Sequence, residues 1–282
     1  MLNIKTIKQL RADIKRWRMA GESIAFVPTM GNLHAGHLQL VQAAKHQADR
    51  VVVSIFVNPT QFNEQDDFTN YPRTADADVE KLQSAGVAML YMPEREEMYP
   101  AEVLTKVSVR AVTETHCGAS RPGHFDGVAT VVCKLFNIVQ PDMAFFGEKD
   151  FQQLLVIRTM VADLNCPVEI IAIPTFRETD GLAMSSRNSH LSKEERQQGA
   201  YLYQILNSAK QAVLQQQENY SEIEKASLQA LSEVGFNPDY FSLCRRSDLQ
   251  TAANGDTQLI ILAAARLGRT RLIDNIQLEL GL

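Results

Sequence analysis

Residues 23–57 read SIAFVPTMGNLHAGHLQLVQAAKHQADRVVVSIFV, which is the pattern of one strand–helix–strand unit. A short apolar run at 23–28 passes through a turn rich in glycine and histidine into a helical pattern that reaches about Asp49. Residues 50–57 are nearly all β-branched or aromatic, which is typical of a strand buried on both faces in a parallel sheet. The pattern therefore predicts two parallel strands joined by a helix.

Strand and helix patterns continue to alternate on both sides of this unit. Apolar residues at steps of three and four predict helices, and short apolar runs predict strands. The further predicted elements are helices at 5–20, 74–85, 127–140 and 150–163, and strands at 87–93, in the first part of 142–150 and at 167–175. Strands separated by helices indicate an α/β fold of the Rossmann-like class, with a doubly wound parallel sheet.

The pattern changes after residue 175. Two helices are followed by three strand-like runs, which indicates a small α+β unit. These elements are a long glutamine-rich helix at 191–217, a second helix at 221–235, and strands at 239–246, 257–268 and 270–278. The sequence therefore predicts a Rossmann-like ligand-binding domain at 1–175 and a smaller C-terminal lid domain at 176–282, with a hinge near their boundary.

The composition is that of an ordinary globular chain. Of its 282 residues, 45% are hydrophobic and 22% are charged, and a chain of this length buries a large core without disulfides or a structural metal. The formal net charge is -5 and no basic run stands out, so we expect no nucleic-acid partner. We also expect no membrane span, because no apolar run is long enough to cross a bilayer. We expect no signal peptide, because the N-terminal residues contain no apolar block of the kind that a signal peptide has.

The four cysteines are scattered and form no C-x-x-C pair. We expect reduced, buried thiols in a cytoplasmic protein and no zinc site built from them. They are Cys117, Cys133, Cys166 and Cys244.

The sharpest motif is PTMGNLHAGH, which runs from Pro28 to His37 at the end of the first parallel strand. Open α/β sheets bind ligands at this edge, and glycines let backbone N–H groups approach an anion at a helix N-terminus. His34 and His37 lie three residues apart, so both rings can face that anion, and a protonated ring would offset charge on a departing pyrophosphate. The spacing does not fit the H-E-x-x-H zinc motif. A helix cap with two surface histidines is the alternative.

Two further loops carry residues suited to a phosphate. At a second strand-to-helix turn, Lys149 offers a compact positive charge, and Asp150 can accept a hydrogen bond from a ribose hydroxyl or begin the helix. Residues 184–187, Met-Ser-Ser-Arg, offer two hydroxyls, successive N–H groups and a guanidinium. A capped helix start and a solvated loop are the alternatives at these two places.

The H-x-G-H sequence after a first strand resembles the signature of the nucleotidylyltransferase superfamily, which includes the class I aminoacyl-tRNA synthetases. A longer series of blocks resembles the pantoate–β-alanine ligase family, in the order of that family and over nearly the whole chain. The blocks are VPTMGNLHAGH at 27–37, SIFVNPTQF at 54–62, YPRT at 71–74, GASRPGHFDGV at 118–128, QPDMAFFGEKDFQQL at 140–154, GLAMSSRN at 181–188 and RLIDN at 271–275.

The resemblance implies an ATP-dependent ligase that condenses (R)-pantoate with β-alanine through a pantoyl adenylate, giving pantothenate, AMP and diphosphate. It also implies Mg²⁺, with no metal ligand assigned to the protein, and a homodimer. His37 matches the catalytic position, acting on the departing phosphates, and Gln61 and Gln153 match the pantoate and β-alanine positions. The implied ATP-binding residues, which include the mobile KMSKS-type loop at 184–187, are Met30, Gly31, Asn32, Leu33, His34, Ala35, Gly36, His37, Gly147, Glu148, Lys149, Asp150, Phe176, Met184, Ser185, Ser186 and Arg187.

Some residues keep two interpretations. Asn58 and Tyr71 are expected neighbours of the acid substrate, and Arg121 suits a carboxylate contact and a structural turn equally well. The histidines without a partner pattern, expected to be surface or internally bonded residues, are His46, His116, His124 and His190.

Two other functions compete with the ligase. A nucleotidyltransferase that acts on a phosphorylated acceptor would share H-x-G-H but would need a second phosphate site. A non-catalytic sensor on the same fold would bind ATP without releasing pyrophosphate. A tRNA synthetase is disfavoured because no basic extension is visible.

Overall fold

The computed structural model describes residues 1–63, 68–215 and 219–281, and it confirms the predicted α/β fold class. The strands are β1 Leu2–Ile4, β2 Ile24–Thr29, β3 Arg50–Ile55, β4 Met89–Tyr91, β5 Met143–Gly147, β6 Glu169–Ile173, β7 Asn237–Arg245, β8 Gln258–Leu267 and β9 Thr270–Glu279. The main described helices are α1 Ile7–Met19, α2 Ala35–Lys45, α3 Ala75–Ser84, α4 Arg95–Met98, α5 Cys117–Ser120, α6 His124–Val139, α7 Phe151–Asp163, α8 Lys193–Gly199, α9 Tyr201–Leu214 and α10 Tyr220–Glu233. Short 3-10 turns cover Pro59–Gln61, Glu148–Asp150 and Ser186–His190.

The order in which the chain adds strands to the parallel sheet reverses at β2. Its strand order is β1-β4-β3-β2-β5-β6, so the chain adds strands first on one side of β2 and later on the other. At such a switch point the loops after the two central strands diverge and leave a crevice at the carboxyl edge of the sheet. The loops after β2 and β5 are the two that contain the H-x-G-H motif and Lys149.

The two faces of this sheet carry separate apolar layers. Successive side chains of a strand point to opposite faces, and on β2 Ile24 and Phe26 join one buried cluster while Ala25 and Val27 join the other. Helices α1 and α6 pack on the first face and α2 on the second. The predicted double burial of the second strand is confirmed, since residues 51–55 of β3 are all buried.

The predicted elements of the parallel sheet are present, but their ends differ by a few residues. The predicted strand at 87–93, for example, is only three residues long. β1 was not predicted at all, because three residues at the sheet edge beside β4 are too few to show a periodicity.

The C-terminal part contains the expected helices and a three-stranded antiparallel sheet in the order β7-β8-β9. β8 is buried on both faces: Ile260 and Leu262 join the core of the parallel sheet, while Leu259 and Ile261 pack with α9 and α10. One prediction here was wrong, because the long helix at 191–217 is interrupted at Ala200 and forms α8 and α9. Glycine is a poor helix former, and Gly199 precedes the interruption. Residues 216–217 of that prediction lie outside the described residues.

All four cysteines are free, as predicted, but only Cys117 and Cys244 are buried. Cys117 is more than a small apolar residue, because its Sγ lies 3.0 Å from the Tyr240 hydroxyl and 3.5 Å from an Arg271 guanidinium nitrogen. Within 1–63, 68–215 and 219–281, no helix has both the length and the apolar character needed to cross a membrane.

Candidate active site

The turn after β2 sets the two histidines side by side. Gly31 and Asn32 adopt positive φ angles of 83° and 50°, which lets the chain reverse into the extended His34 that caps α2. The ring centroids of His34 and His37 are 4.1 Å apart. The His34 N–H donates to Nδ1 of His37 at 3.3 Å, so the neutral His37 ring carries its proton on Nε2.

Both histidines are neutral at pH 7 in this structure. Burial is the main reason that the pKa of His34 is lowered to about 4 and that of His37 to about 3, and the charge of Lys149 lowers both pKa values further. Neutral rings can each donate a hydrogen bond to a phosphate oxygen, but they must gain a proton before they can offset charge on a departing pyrophosphate. An anion bound beside them would raise both pKa values.

The N–H groups of the glycine turn already have an anionic partner inside the protein. Asp78, on α3 and almost fully buried, accepts from the N–H groups of Asn32 and Leu33 at 2.8 Å each. Lys81 donates to the Leu33 carbonyl at 2.7 Å. The N–H groups of Asn32 and Leu33 are therefore engaged by the protein's own carboxylate, and the approach of other N–H groups of this turn to a ligand anion stays a prediction. Asp78 was missed, because its contact spans more than forty residues of sequence.

The predicted residues converge on one cavity of about 250 Å³ at the carboxyl edge of the sheet. Those that line it are Met30, His34, Gly36, His37, Gln61, Gly147, Lys149, Asp150, Gln153, Phe176, Met184, Ser185, Ser186 and Arg187. The remaining predicted residues belong to the same loops but do not line this cavity: Gly31, Asn32, Leu33, Ala35 and Glu148. The alternative of a helix cap with two surface histidines agrees with the structure in part, because His34 is the N-cap of α2, but both histidines also line the cavity.

Lys149 lies on the 3-10 turn that joins β5 to α7. Its side chain is mostly buried, and its Nζ lies 3.9 Å from a carboxylate oxygen of the half-exposed Asp150. The amide of Asn275, on β9, donates to the carbonyls of Glu148 and Lys149 at 2.8 and 2.9 Å. The C-terminal strand therefore fixes the backbone of the turn that presents Lys149.

The 176–187 segment closes the other side of the cavity. Met184 N–H donates to the Phe176 carbonyl at 2.9 Å, which makes 176–184 a tight hairpin. The Ser186 hydroxyl donates to the Asn32 carbonyl at 3.3 Å, and the Asn32 amide donates back to the Ser186 carbonyl at 3.4 Å. This reciprocal pair joins the serine-rich loop directly to the glycine turn after β2.

Gln61 is held at the inner end of the cavity by a buried polar network. Its Oε1 accepts from the Asn58 amide at 3.1 Å, and its Nε2 lies 3.2 Å from the Met30 sulfur. Asn58 is fixed in turn by the Tyr99 hydroxyl at 2.9 Å and by the Gly127 carbonyl at 3.1 Å. Asn58 thus positions Gln61, while Tyr71 lines the cavity as expected.

Arg121 and His124 also meet at Gln61. Both side chains contact its backbone carbonyl, the Nδ1 of His124 at 2.7 Å and the guanidinium of Arg121 at 3.3 Å. Burial, followed by the charge of Arg121, lowers the pKa of His124 to about 4. Arg121 therefore combines a structural contact with a position in the cavity lining, and the structure is compatible with both of its interpretations.

The other histidines without a partner pattern behave as expected. His116 contacts Thr115 and the Cys244 sulfur, while His46 and His190 are exposed. A larger cavity of about 980 Å³ adjoins the first one and shares Lys149 and Gln153 with it. The larger cavity extends between the parallel sheet and β8–β9 and is not lined by His34 or His37. Both of these histidines line the smaller cavity.

The sheet, its switch point and a cavity that joins a histidine pair, a lysine and a serine-rich loop define an α/β protein of the nucleotide-binding type. The family model described as pantoate-beta-alanine ligase matches residues 3–277. The chain belongs to the pantoate–β-alanine ligase family and is a ligase.

Relatives of this family are similar over their whole length. The pantothenate synthetase of Azotobacter vinelandii is 52% identical over 283 residues, covering 100% of both chains, and that of Pseudomonas entomophila is 53% identical, covering 99% of this chain and 98% of its own. The crystal structure of pantothenate synthetase from Thermus thermophilus has a TM-score of 0.92 at 45% identity, covering 98% of this chain and 99% of its own. The pantoate–β-alanine ligase from Francisella tularensis, in complex with β,γ ATP and β-alanine, has a TM-score of 0.84 at 34% identity, covering 98% and 97%. These likenesses favour the ligase over the nucleotidyltransferase and the sensor.

Proposed function

We propose that this chain uses ATP to condense (R)-pantoate with β-alanine, forming pantothenate, AMP and diphosphate through a pantoyl adenylate. The observation that carries the proposal is the single cavity at the switch point, where the histidine pair, Lys149, the serine-rich loop and Gln61 meet. The complex of the Francisella relative with β,γ ATP and β-alanine supports the choice of substrates.

The chemistry requires an activated acid. A free carboxylate is a poor acyl donor, so the pantoate carboxylate first attacks the α-phosphorus of ATP and pyrophosphate leaves. The β-alanine amine then attacks the acyl carbon of the adenylate, and AMP leaves with the bonding electron pair. The protein's contribution is to hold the reactants in line and to stabilise the charge that develops on the phosphates.

The phosphate end of the cavity suits this charge. We assign the Nε2–H of His37 to the departing phosphates, and His34 and Lys149 to further phosphate contacts. Neutral rings cost little to keep buried before ATP arrives, and an arriving phosphate favours their protonation. Ser185, Ser186 and Arg187 cover the phosphates from the 176–187 segment.

The opposite end suits a hydroxy acid. An amide offers both a donor and an acceptor, so Gln61 and Gln153 can bind the hydroxyl and carboxylate groups of pantoate. We place β-alanine beside Gln61, where the amine can reach the acyl carbon. The contacts of Asn58 and His124 with Gln61 hold it in one orientation for this purpose.

The site also fits Mg²⁺. Among the described residues, no group of three or more histidine, cysteine, aspartate or glutamate side chains could hold a metal alone. One carboxylate, that of Asp150, nonetheless lines the cavity beside Lys149. This donor set suits a hard cation that is bound mainly by phosphate oxygens and water. When bound, Mg²⁺ would neutralise phosphate charge.

Oxygen labelling tests the adenylate directly. Pantoate labelled with ¹⁸O in its carboxylate is incubated with ATP, Mg²⁺ and β-alanine, and the products are examined by mass spectrometry. Attack on the α-phosphorus transfers one labelled oxygen to AMP. Label found in inorganic phosphate, with ADP as the nucleotide product, would contradict the proposal and indicate an acyl phosphate instead.

A further inference from the structure

Asn275 is far from the motif residues in sequence but touches the turn that presents Lys149. It lies on β9 and is almost fully buried. Both hydrogens of its amide are used, because Nδ2 donates to the carbonyls of Glu148 and Lys149 at 2.8 and 2.9 Å. One side chain thus donates to two successive carbonyls of one 3-10 turn.

Its neighbour Asp274 connects to the opposite wall of the cavity. This buried carboxylate pairs with both terminal nitrogens of Arg177 at 2.6 and 2.9 Å. Arg177 also donates to the carbonyls of Gly181 and Asn275, at 3.0 and 3.2 Å, and its guanidinium stacks 3.6 Å from the Tyr203 ring. Arg177 belongs to the 176–184 hairpin, which contains Phe176 and Met184.

We propose that Asn275 is a positioning residue for Lys149: its two hydrogen bonds hold the 148–150 turn so that the ammonium group faces the ATP phosphates. The proposal rests on the proposed function, in which Lys149 contacts phosphate. Asp274 and Arg177 fix β9 against the hairpin, so the 274–275 pair sets the spacing between the two walls of the nucleotide site. Asn275 itself does not line the 250 Å³ cavity and acts through the turn.

The chemistry of the turn requires an amide at this position. Without the amide, the partly buried carbonyls of Glu148 and Lys149 lose a hydrogen-bond donor. A carboxylate in its place would oppose the two carbonyl oxygens with further negative charge. A side chain that only filled space could be replaced by an apolar residue without consequence for Lys149. The coupling between Asn275 and Lys149 therefore separates positioning from packing.

The test measures binding of α,β-methylene ATP with Mg²⁺ by calorimetry, with the melting temperature of each variant. The variants are Lys149→Ala, Asn275→Ala, the double variant and, as a matched control, Asn137→Ala, which removes an exposed amide that donates to the Cys133 carbonyl. We expect Asn275→Ala to weaken binding about tenfold alone, but less than twofold in the Lys149→Ala background. The control should bind as the wild type.

Two results would overturn the positioning role. One is wild-type affinity in folded Asn275→Ala, and the other is an equal loss in both backgrounds. If Lys149→Ala binds the analogue like the wild type, the phosphate contact of Lys149 in the proposed function fails, and its positioning fails with it. Should Asn275→Ala not fold, Asn275→Ser, which keeps one donor, replaces it in the same cycle and should give a smaller coupled loss.

Discussion

At the scale of single residues, the site depends on which ring nitrogen of His37 can donate a hydrogen bond. The backbone N–H of His34 occupies Nδ1 of His37, so the donor hydrogen of this cavity-lining ring is on Nε2. Gly36 allows this arrangement, because a Cβ there would come within 3.1 Å of the His34 ring and 3.4 Å of the Phe176 Cβ. A side chain at position 36 would therefore push His34 or Phe176 out of place.

Replacing His37 removes the proposed donor to the departing phosphates. We expect His37→Ala to lower pantoate-dependent exchange of pyrophosphate into ATP by about 100-fold or more, as the loss of a preorganised donor does elsewhere. His37→Gln, which keeps an amide donor, should retain more exchange than His37→Ala. His46→Ala, at the exposed end of α2, is the control and should exchange at the wild-type rate. Undiminished exchange in His37→Ala would remove this assignment.

The lowered pKa of His37 predicts a pH dependence of stability. A histidine with a folded pKa of about 3 and an unfolded pKa near 6.5 binds its proton preferentially in the unfolded chain between those values. Its contribution to the free energy of unfolding therefore falls as the pH drops below about 6.5. Between pH 7 and pH 5 this loss is about 2 kcal/mol.

Urea unfolding of the wild type and His37→Gln at both pH values measures that contribution. The free energy of unfolding should decrease less for His37→Gln over this interval, by up to the same ~2 kcal/mol, because the variant has lost the titrating group. Other groups titrate in both proteins and cancel in the difference. Equal decreases in the two proteins would show that His37 has an ordinary pKa.

At the scale of elements, the proposed acid-binding end of the cavity lies where α6 meets the Pro59–Gln61 turn. Gly127, in the first turn of α6, lies so close that an added Cβ would be 2.4 Å from the Thr60 carbonyl oxygen. The Asn58 amide donates to the Gly127 carbonyl across the same contact. The orientation of Gln61 therefore depends on the absence of a side chain at position 127.

Gly127→Ala should disturb stability and acid binding together. We expect the free energy of unfolding to fall by about 1–3 kcal/mol, because backbone atoms of the turn must move, and the KM for pantoate to rise several-fold. Gly199→Ala is the matched control, since its Cβ would meet Leu182 at an ordinary 3.4 Å, and it should not be destabilised. A Gly127→Ala protein with unchanged stability and KM would contradict this account of the contact.

The sequence predicts helices, strands and motifs whose residues are close together in the chain. It does not predict contacts between residues that only the fold brings together. β2, β3 and the H-x-G-H turn were predicted because their apolar runs, glycines and histidines are adjacent in the chain. Asp78 and Asn275 were missed as site residues because their partners are distant in sequence, and the RLIDN block that contains Asn275 does not show what its side chain contacts. Gly199 reads as an ordinary residue within a helical pattern, so the interruption after it was not foreseen.

At the scale of the whole molecule, we propose that 1–175 and 176–282 form a ligand-binding domain and a lid that closes over the adenylate. The division is supported by the two separate sheets, one parallel and one antiparallel. The two parts meet at the Ser186–Asn32 pair and where Ile260 and Leu262 pack against the parallel-sheet core. The homodimer and the cytoplasmic location remain predictions, and light scattering measures the first.

A closed lid should protect the pantoyl adenylate from water. With ATP, Mg²⁺ and pantoate but no β-alanine, we expect one rapid turnover of pyrophosphate and little further AMP. Weakening the closure by Ser186→Ala should increase AMP release under these conditions. Rapid AMP turnover by the wild type without β-alanine would contradict a sealed intermediate.

The most direct test of the two-step ligase is a dropout assay that follows pyrophosphate and AMP with ATP, Mg²⁺, pantoate and β-alanine, omitting one component at a time. Our account predicts that pyrophosphate formation requires pantoate and that AMP turnover rises strongly when β-alanine is added. Pyrophosphate released only with a phosphorylated acceptor, or ATP binding with no pyrophosphate under any condition, would contradict it.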